Sequence, residues 1–308
     1  MGTPLRWLVF NLFVLAAVAL DLGVFHRRPH KLKTREALLW SFIWIGLTLL
    51  FGIGVFVYAG EHRALEFFTG YVIEKALSVD NLFLFLVIFR AFAVEEAVQH
   101  RVLEWGILGA LLMRGVMIAA GAELIERFDW VLYVLGAFLV YAGLHMLFEH
   151  KEKMHPEENR ISRFAAKHLR VTTGFRGTDF FARERGKLFA TPLFVVLLVV
   201  EITDITLAVD SIPAIFGVTR DPFIVYTSNV FAILGLRAMY FLLAGVLGRL
   251  RYLTAGLAVV LMFIGAKMIV EPWVHISIEL SLAIVAGLLL LALGASLLVR
   301  PKTEPPVK

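Results

Sequence analysis

The chain has 308 residues, 59% hydrophobic and only 18% charged, with a formal net charge of +5 and a mean hydropathy of +0.81. A water-facing surface calls for roughly 25% charge, so the pair of soluble domains that length alone would suggest is excluded, and most of the surface must face lipid. The basic residues stand in short runs between apolar stretches, which excludes a nucleic-acid binder, and the lack of cysteine excludes disulfides and thiolate ligation, leaving oxygen or imidazole for any metal.

Nine apolar segments are long enough to cross a bilayer as helices: 5–25, 39–59, 66–89, 104–122, 129–148, 192–215, 223–247, 253–270 and 277–299. The expected fold is therefore an all-α polytopic membrane protein. Residues 1–149 carry five spans, 150–190 form a basic loop, 191–299 carry four more spans, and 300–308 are a tail. Thr191-Pro192 marks the start of the sixth span, because proline is tolerated at the first helical position.

The loops set the orientation. Arg27, Arg28, Lys31, Lys33 and Arg35 follow the first span, and ten lysines and arginines fill the loop after the fifth. Arg249 and Arg251 separate spans seven and eight, while Arg300 and Lys302 follow the ninth. The intervening loops hold only Arg63, Arg127 and Arg220. With nine spans, the N-terminus outside and the C-terminus inside, every basic loop falls on the cytoplasmic side. Ala17-Val18-Ala19 imitates a signal-peptidase site, but five basic residues follow the apolar run and few precede it, so an uncleaved first helix is expected. In the 150–190 loop, Ile161, Phe164, Ala165 and Leu169 recur at helical spacing among basic residues, as in a helix lying on the membrane face, though a solvated loop fits equally.

The sequence repeats itself. EKALSVDN (74–81) in the third span matches DITLAVDS (204–211) in the sixth, LMRG (112–115) matches GLRA (235–238), and YAGLHMLFE (141–149) matches FIGAKMIVE (263–271). The offsets are 130, 123 and 122 residues in the same order. Since the third and sixth spans enter from opposite sides, 66–149 and 191–271 form two inverted three-helix repeats, an architecture of secondary transporters with the site at the midplane.

Six carboxylates lie within the spans: Asp21, Glu74, Asp80, Glu201, Asp204 and Asp210. Each costs about 2.5–3.5 kcal/mol if ionised at the bilayer centre, so the set must face a wet cavity, pair with cations or share protons. Glu74, Ser78 and Asn81 share one helical face, and Asp204, Ala208 and Ser211 share another. Asp80 and Asp210 point about 120° away, so a common ion for each pair requires unwinding near 78–80 and 208–210, with Pro213 favouring a distortion in the second case. Glu74, Asp80, Asn81, Glu201, Asp204, Asp210 and Ser211 are the candidate metal ligands, with Asp21 and Ser78 along the pathway. These hard oxygen donors suit Mg²⁺, Ca²⁺ or Mn²⁺. Proton coupling is compatible with buried carboxylates, though nothing in the sequence demands it.

Arg114 and Arg237 occupy equivalent repeat positions and are expected to be counter-charges to the acids; an oxyanion or amino-acid exporter would use them as ligands instead. His145 and Lys267 match in the repeat near opposite membrane faces and are read as gate residues or as interfacial snorkelers, the second being the expectation. His150, Glu152 and His155 are expected to be solvated. No phosphate loop, positioned nucleophile or HExxH pattern is present, so no enzyme is expected.

EKALSVDNLF (74–83), ALLMRG (110–115), the continuous string 209–243 and the LDL at 20–22 resemble the TerC/Alx family over residues 10–299. The resemblance implies membership of a LysE-like transporter grouping, Mn²⁺ efflux across a bacterial-type inner membrane, and acidic motif residues at Glu74, Asp80, Asn81, Glu201, Asp204 and Asp210. The family is also associated with tellurite resistance, alkaline pH response and metal loading of exported proteins. The resemblance thereby raises contacts with secretion machinery, alongside a second copy of the chain, as partners beside the lipid bilayer. Choice of Mn²⁺ over Ca²⁺ or Mg²⁺ rests on the resemblance alone.

Overall fold

The computed structural model describes residues 2–25, 34–148, 171–184, 186–243 and 252–298. Ten helices account for most of them: α1 Pro4–Phe25, α2 Thr34–Ala59, α3 Glu61–Ala91, α4 Glu96–Arg127, α5 Val131–Phe148, α6 Pro192–Phe216, α7 Pro222–Ile233, α8 Leu236–Leu243, α9 Leu253–Val270 and α10 Ile278–Leu298. Each predicted segment coincides with a helix, except that the seventh is divided between α7 and α8. Helices dominate because a chain in hydrocarbon must satisfy its backbone polar groups internally. The start at Pro192 is as expected, with Thr191 extended before it, and the Asp221 side chain caps α7 by accepting from the Phe223 amide.

Among the described residues six helices are long and apolar enough to cross a membrane: α2, α4, α5, α6, α9 and α10. The α7–α8 pair, bent by 42°, makes a seventh if taken as one span. In α1 the apolar stretch of fully described residues is Pro4–Leu20, and α3 carries Glu61, Arg63, Glu66, Glu74, Lys75 and Asp80. The architecture is thus that of a polytopic membrane protein with six or seven apolar spans. Large apolar side chains such as Leu8, Leu12, Phe42, Leu50, Leu290 and Leu291 are exposed on α1, α2 and α10, where only lipid would accept so much of them.

The break between α7 and α8 falls at Leu234–Gly235. Gly235 has φ of +85°, and a β-carbon there would lie 2.8 Å from the Trp44 ring. Glycine is therefore required twice, by conformation and by the close approach of α2. Lys75 donates from Nζ to the Ala232 carbonyl oxygen at 3.0 Å, meeting one acceptor at the break. By contrast α3 and α6 are continuous through 78–80 and 208–210. The break is instead found in α7–α8, where Gly235 takes a left-handed backbone conformation against Trp44 of α2.

Packing joins the two halves of the chain. The main contacts are α5 on α9, α3 on α7, α4 on α6, α3 on α6 and α4 on α7. Along α3 and α6 they progress in opposite senses: Gly70 meets Ile215, whereas Leu82 and Phe85 share a cavity with Val200 and Glu201. The two helices are antiparallel. Helices α5 and α9 touch backbone to backbone, since a β-carbon at Gly136 would meet the Gly265 carbonyl oxygen at 2.9 Å and one at Gly143 the Ala258 carbonyl oxygen at 2.6 Å. Small residues permit this approach where dispersion, not water exclusion, drives association. Phe10, Phe51, Phe67, Phe223 and Phe231 form an aromatic cluster that fixes α1 and α2 to α3 and α7, with Phe51 and Phe231 centroids 4.8 Å apart.

Within the loop expected at 150–190, the described part contains an antiparallel hairpin, β1 Phe181–Glu184 paired with β2 Lys187–Ala190 in the register Phe181 to Ala190. The apolar-periodic stretch 161–169 lies outside the described residues, as do the tail and the side chains of Asp21 and Asp80.

Candidate functional site: a buried carboxylate–arginine centre

Glu74, Ser78 and Asn81 are all buried on α3, and Asp204, Ala208 and Ser211 are all buried on α6. The two expected faces are real, and they look toward each other. Asp210 is only half-buried, as expected for a residue about 120° from Asp204, and lies within electrostatic range of His145 on α5. It does not join the centre.

Arg114 of α4 occupies the space between the two faces. Its Nη1 bonds Glu74 Oε1 at close range and Asn229 Oδ1 of α7 at 3.0 Å. Its Nε donates to Asp204 Oδ2 at 3.3 Å, and its Nη2 donates to Asp204 Oδ1 at 3.1 Å. Ser211 Oγ accepts from Nη1 at 3.4 Å, and Ser78 donates to Glu74 Oε1 at 3.4 Å. The Arg114 side chain is 2% exposed, so the pair is shielded from bulk water. Four helices contribute to it, and the fork geometry of arginine matches a carboxylate in two directions. The expected role of Arg114 as counter-charge is what its contacts perform.

The charges do not cancel. With both acids ionised, one guanidinium faces two carboxylates, and Glu74 Oε2 is buried without a hydrogen-bond partner. One turn along α6 from Asp204, Glu201 makes no hydrogen bond or ion pair among the described residues. A β-carbon at Gly109 would collide with the Glu201 carboxylate, so α4 leaves room for that side chain only by having none of its own there. Glu201 and Asp204 both border a cavity of about 20 Å³, closed by Leu82, Phe85, Leu103 and Arg237. That is space for about one water-sized occupant.

Arg237 donates to Glu104 Oε1 at 2.9 Å, and both are nearly inaccessible, at 3% and 2% exposure. Arg101 approaches the same carboxylate at 3.7 Å, and Tyr240 donates to Gln99 nearby at 2.8 Å. Glu104 lies at the expected edge of the fourth span, where position alone does not separate a headgroup-level acid from a buried one. Asn229 was missed too, although Thr227-Ser228-Asn229 is a polar triplet in an otherwise apolar helix.

Toward the other end, His62, Glu66, Lys267, Glu271 and His275 line a cavity of about 250 Å³. Glu66 is held there by Arg63 at 2.7 Å and His62 at 3.4 Å. Lys267 is 8% exposed and belongs to this cavity, which corrects the expectation that it snorkels to an interface. His145 is exposed, as expected. Among the described residues no three His, Cys, Asp or Glu side chains converge as a metal-binding group. The reason at the centre is plain: Arg114 stands between Glu74 and Asp204.

The comparisons agree with this architecture. Residues 59–304 match the model of the integral membrane protein TerC family. An uncharacterized membrane protein of Myxococcus xanthus is 50% identical over 298 residues, covering 97% of this chain and 93% of the relative. A protein of Escherichia coli named as the membrane-bound redox modulator Alx is 47% identical over 300 residues, covering 94% of each chain. A membrane protein of Rickettsia bellii is 38% identical over 294 residues, covering 96% of this chain and 97% of the relative. No solved structure matches the chain. The family match spans most of the chain and includes all four helices that build the buried centre, so this protein belongs to the TerC family of integral membrane proteins.

Proposed function

We propose that this protein is a secondary transporter, not an enzyme, that exports divalent cations from the cytoplasm across a bacterial-type inner membrane, with Mn²⁺ as cargo. One observation carries the reading. Two acids on antiparallel helices, Glu74 and Asp204, meet one arginine at a buried centre, and Glu201, without a hydrogen bond or ion pair among the described residues, lies beside it on a cavity with Asp204. A purely structural membrane protein gains nothing from a half-buried acid within a span that makes no hydrogen bond or ion pair among the described residues. The carboxylate oxygens of Glu201 and Asp204, in an otherwise mostly apolar wall, are the hard donors a divalent ion would use.

The packing supports two inverted three-helix repeats, α3–α5 and α6–α9. Exchanging α3 with α6, α4 with α7 and α5 with α9 maps the main helix contacts onto themselves. The Gly136–Gly265 approach corresponds, at the repeat offset of 122 residues, to the Gly143–Ala258 approach. With α1, α2 and α10 added, the nine-span reading places the N-terminus outside, the C-terminus inside and the buried centre near the midplane. The cavity around Lys267 and Glu271 then opens outward and serves as the exit vestibule.

An oxyanion or amino-acid exporter fits less well, because Arg114 and Arg237 already hold carboxylates. A membrane scaffold or stress-resistance protein without transport leaves Glu201 unexplained. The redox role in the name of the Alx relatives fits the transport reading indirectly. This chain has no cysteine to exchange, whereas moving a redox-active metal ion would change the redox state of a compartment. The test is Mn²⁺ flux in proteoliposomes of the purified chain. The wild type should move Mn²⁺ faster than protein-free vesicles, and flux at the vesicle background would remove the reading.

A further inference from the structure

Arg114 poses a problem for any cation carrier built on Glu74 and Asp204, because it fills the position that a bridging ion would take. Asp204 receives two of its hydrogen bonds, at 3.3 and 3.1 Å, and Glu74 receives one. A divalent ion gains a carboxylate here only if the guanidinium gives one up. The geometry decides which. Asp204 borders the mostly apolar cavity of about 20 Å³ together with Glu201, whose carboxylate makes no hydrogen bond or ion pair among the described residues, so an ion arriving there finds two acids one helical turn apart. Glu74, in contrast, has a spare buried acceptor, Oε2, without a partner. Asn229 Oδ1 holds Nη1 at 3.0 Å on the Glu74 side. Arg114 released from Asp204 therefore has a prepared place to go: a two-point bond to Glu74, pivoting on the atom already fixed by Asn229.

We infer that Arg114 is a tethered cation that trades places with the transported ion at Asp204, withdrawing onto Glu74 when the ion binds and returning when it leaves. This deepens the transport reading and rests on it. The consequence concerns the empty carrier. Without cargo, Arg114 at Asp204 and Glu74 reduces the excess negative charge that the centre carries as it reorients. With cargo, the ion performs that service. Net movement needs both loaded and empty reorientation, whereas exchange of ion for ion needs only the loaded one. Arg114 is a positioning residue for the first process and dispensable for the second.

The full chain in proteoliposomes separates the two. Radioactive Mn²⁺ is followed once with Mn²⁺ on both sides, reading exchange, and once with Mn²⁺ on one side only, reading net flux. For Arg114→Gln, net flux should fall by about tenfold or more while exchange persists within about threefold of wild type. Loss of both together in a monodisperse, folded protein would reduce Arg114 to a structural counter-charge, and an unchanged net flux would remove it from the cycle; either overturns the inference. If Arg114→Gln does not fold, the double variant R114Q/E74Q removes one base and one acid together, and the same two readings decide. A wild type that carries no Mn²⁺ in either assay defeats the transport reading itself, a result distinct from the failure of the arginine exchange.

Discussion

Arg114 and Asp204 face each other through two hydrogen bonds, Nε to Oδ2 at 3.3 Å and Nη2 to Oδ1 at 3.1 Å, although ninety positions separate them in the chain. The pair ties α4 to α6, and the further bond to Glu74 brings in α3. Removing a member therefore tests packing and transport at once, and the two effects separate according to what each removal leaves behind.

Asp204→Asn leaves Arg114 with Glu74, so no isolated buried charge results. The expected destabilisation is about 1–3 kcal/mol, the cost of weakened hydrogen bonds, below the 3–5 kcal/mol typical of a stranded ion. Thermal unfolding in detergent should show a lowered but cooperative transition, and Mn²⁺ flux should fall by about tenfold or more. Arg114→Ala is the contrast: it strands two carboxylates and should lower stability by more than Asp204→Asn does.

Glu201→Gln should leave folding untouched, because the carboxylate makes no hydrogen bond or ion pair among the described residues. Its melting temperature should match wild type, while Mn²⁺ flux drops by about tenfold or more. Gly109→Ala reaches the same side chain from the opposite helix, placing a methyl where the Glu201 carboxylate lies. It should also reduce flux, with little loss of stability, because the atoms it meets are the far end of a flexible side chain that can turn aside. Equal flux in wild type and both variants would detach Glu201 from the pathway.

Gly265→Val should be among the more damaging substitutions outside the centre. A β-carbon there would lie 2.5 Å from the Gly136 carbonyl oxygen, and backbone on a packed helix has little room to give. The α5–α9 crossing must open, at a cost of about 1–3 kcal/mol or more. The check is thermal unfolding and yield of monodisperse protein, with Gly287→Val, where nothing lies within 4 Å, as the comparison expected to be mild.

Gly235→Ala meets both a φ of +85° and the Trp44 ring. It should cost about 1–2 kcal/mol from the left-handed backbone alone. If the α7–α8 break serves transport, flux should fall further than that destabilisation explains, which flux per folded molecule will show.

Much of this centre was legible in the sequence because helical spacing alone puts 74, 78 and 81, or 204, 208 and 211, on one face. The repeat then identified Glu74 and Asp204 as equivalents, and the structure joins them through Arg114. What could not be read is tertiary. Nothing in the spacing of Asn229 says that α7 turns it toward Arg114, and Glu104 looked like an edge residue until Arg237 was seen beside it. The helix break was sought where the acids needed it, at 78–80 and 208–210, whereas it occurs at Gly235, where the close approach of Trp44 is invisible in one dimension. The hairpin at 181–190 is too short and polar for its alternation to stand out from a loop. Asp80 and Asp210 were read as partners of Glu74 and Asp204; Asp210 stands apart, and the side chain of Asp80 lies outside the described residues.

The most direct measurement is the anomalous scattering of manganese in crystals of the full chain grown with Mn²⁺. The account predicts a buried peak between the carboxylates of Glu201 and Asp204, with Arg114 turned away from Asp204, and its disappearance in Glu201→Gln. Manganese found only at exposed acids, with the Arg114–Asp204 bonds intact, would contradict it.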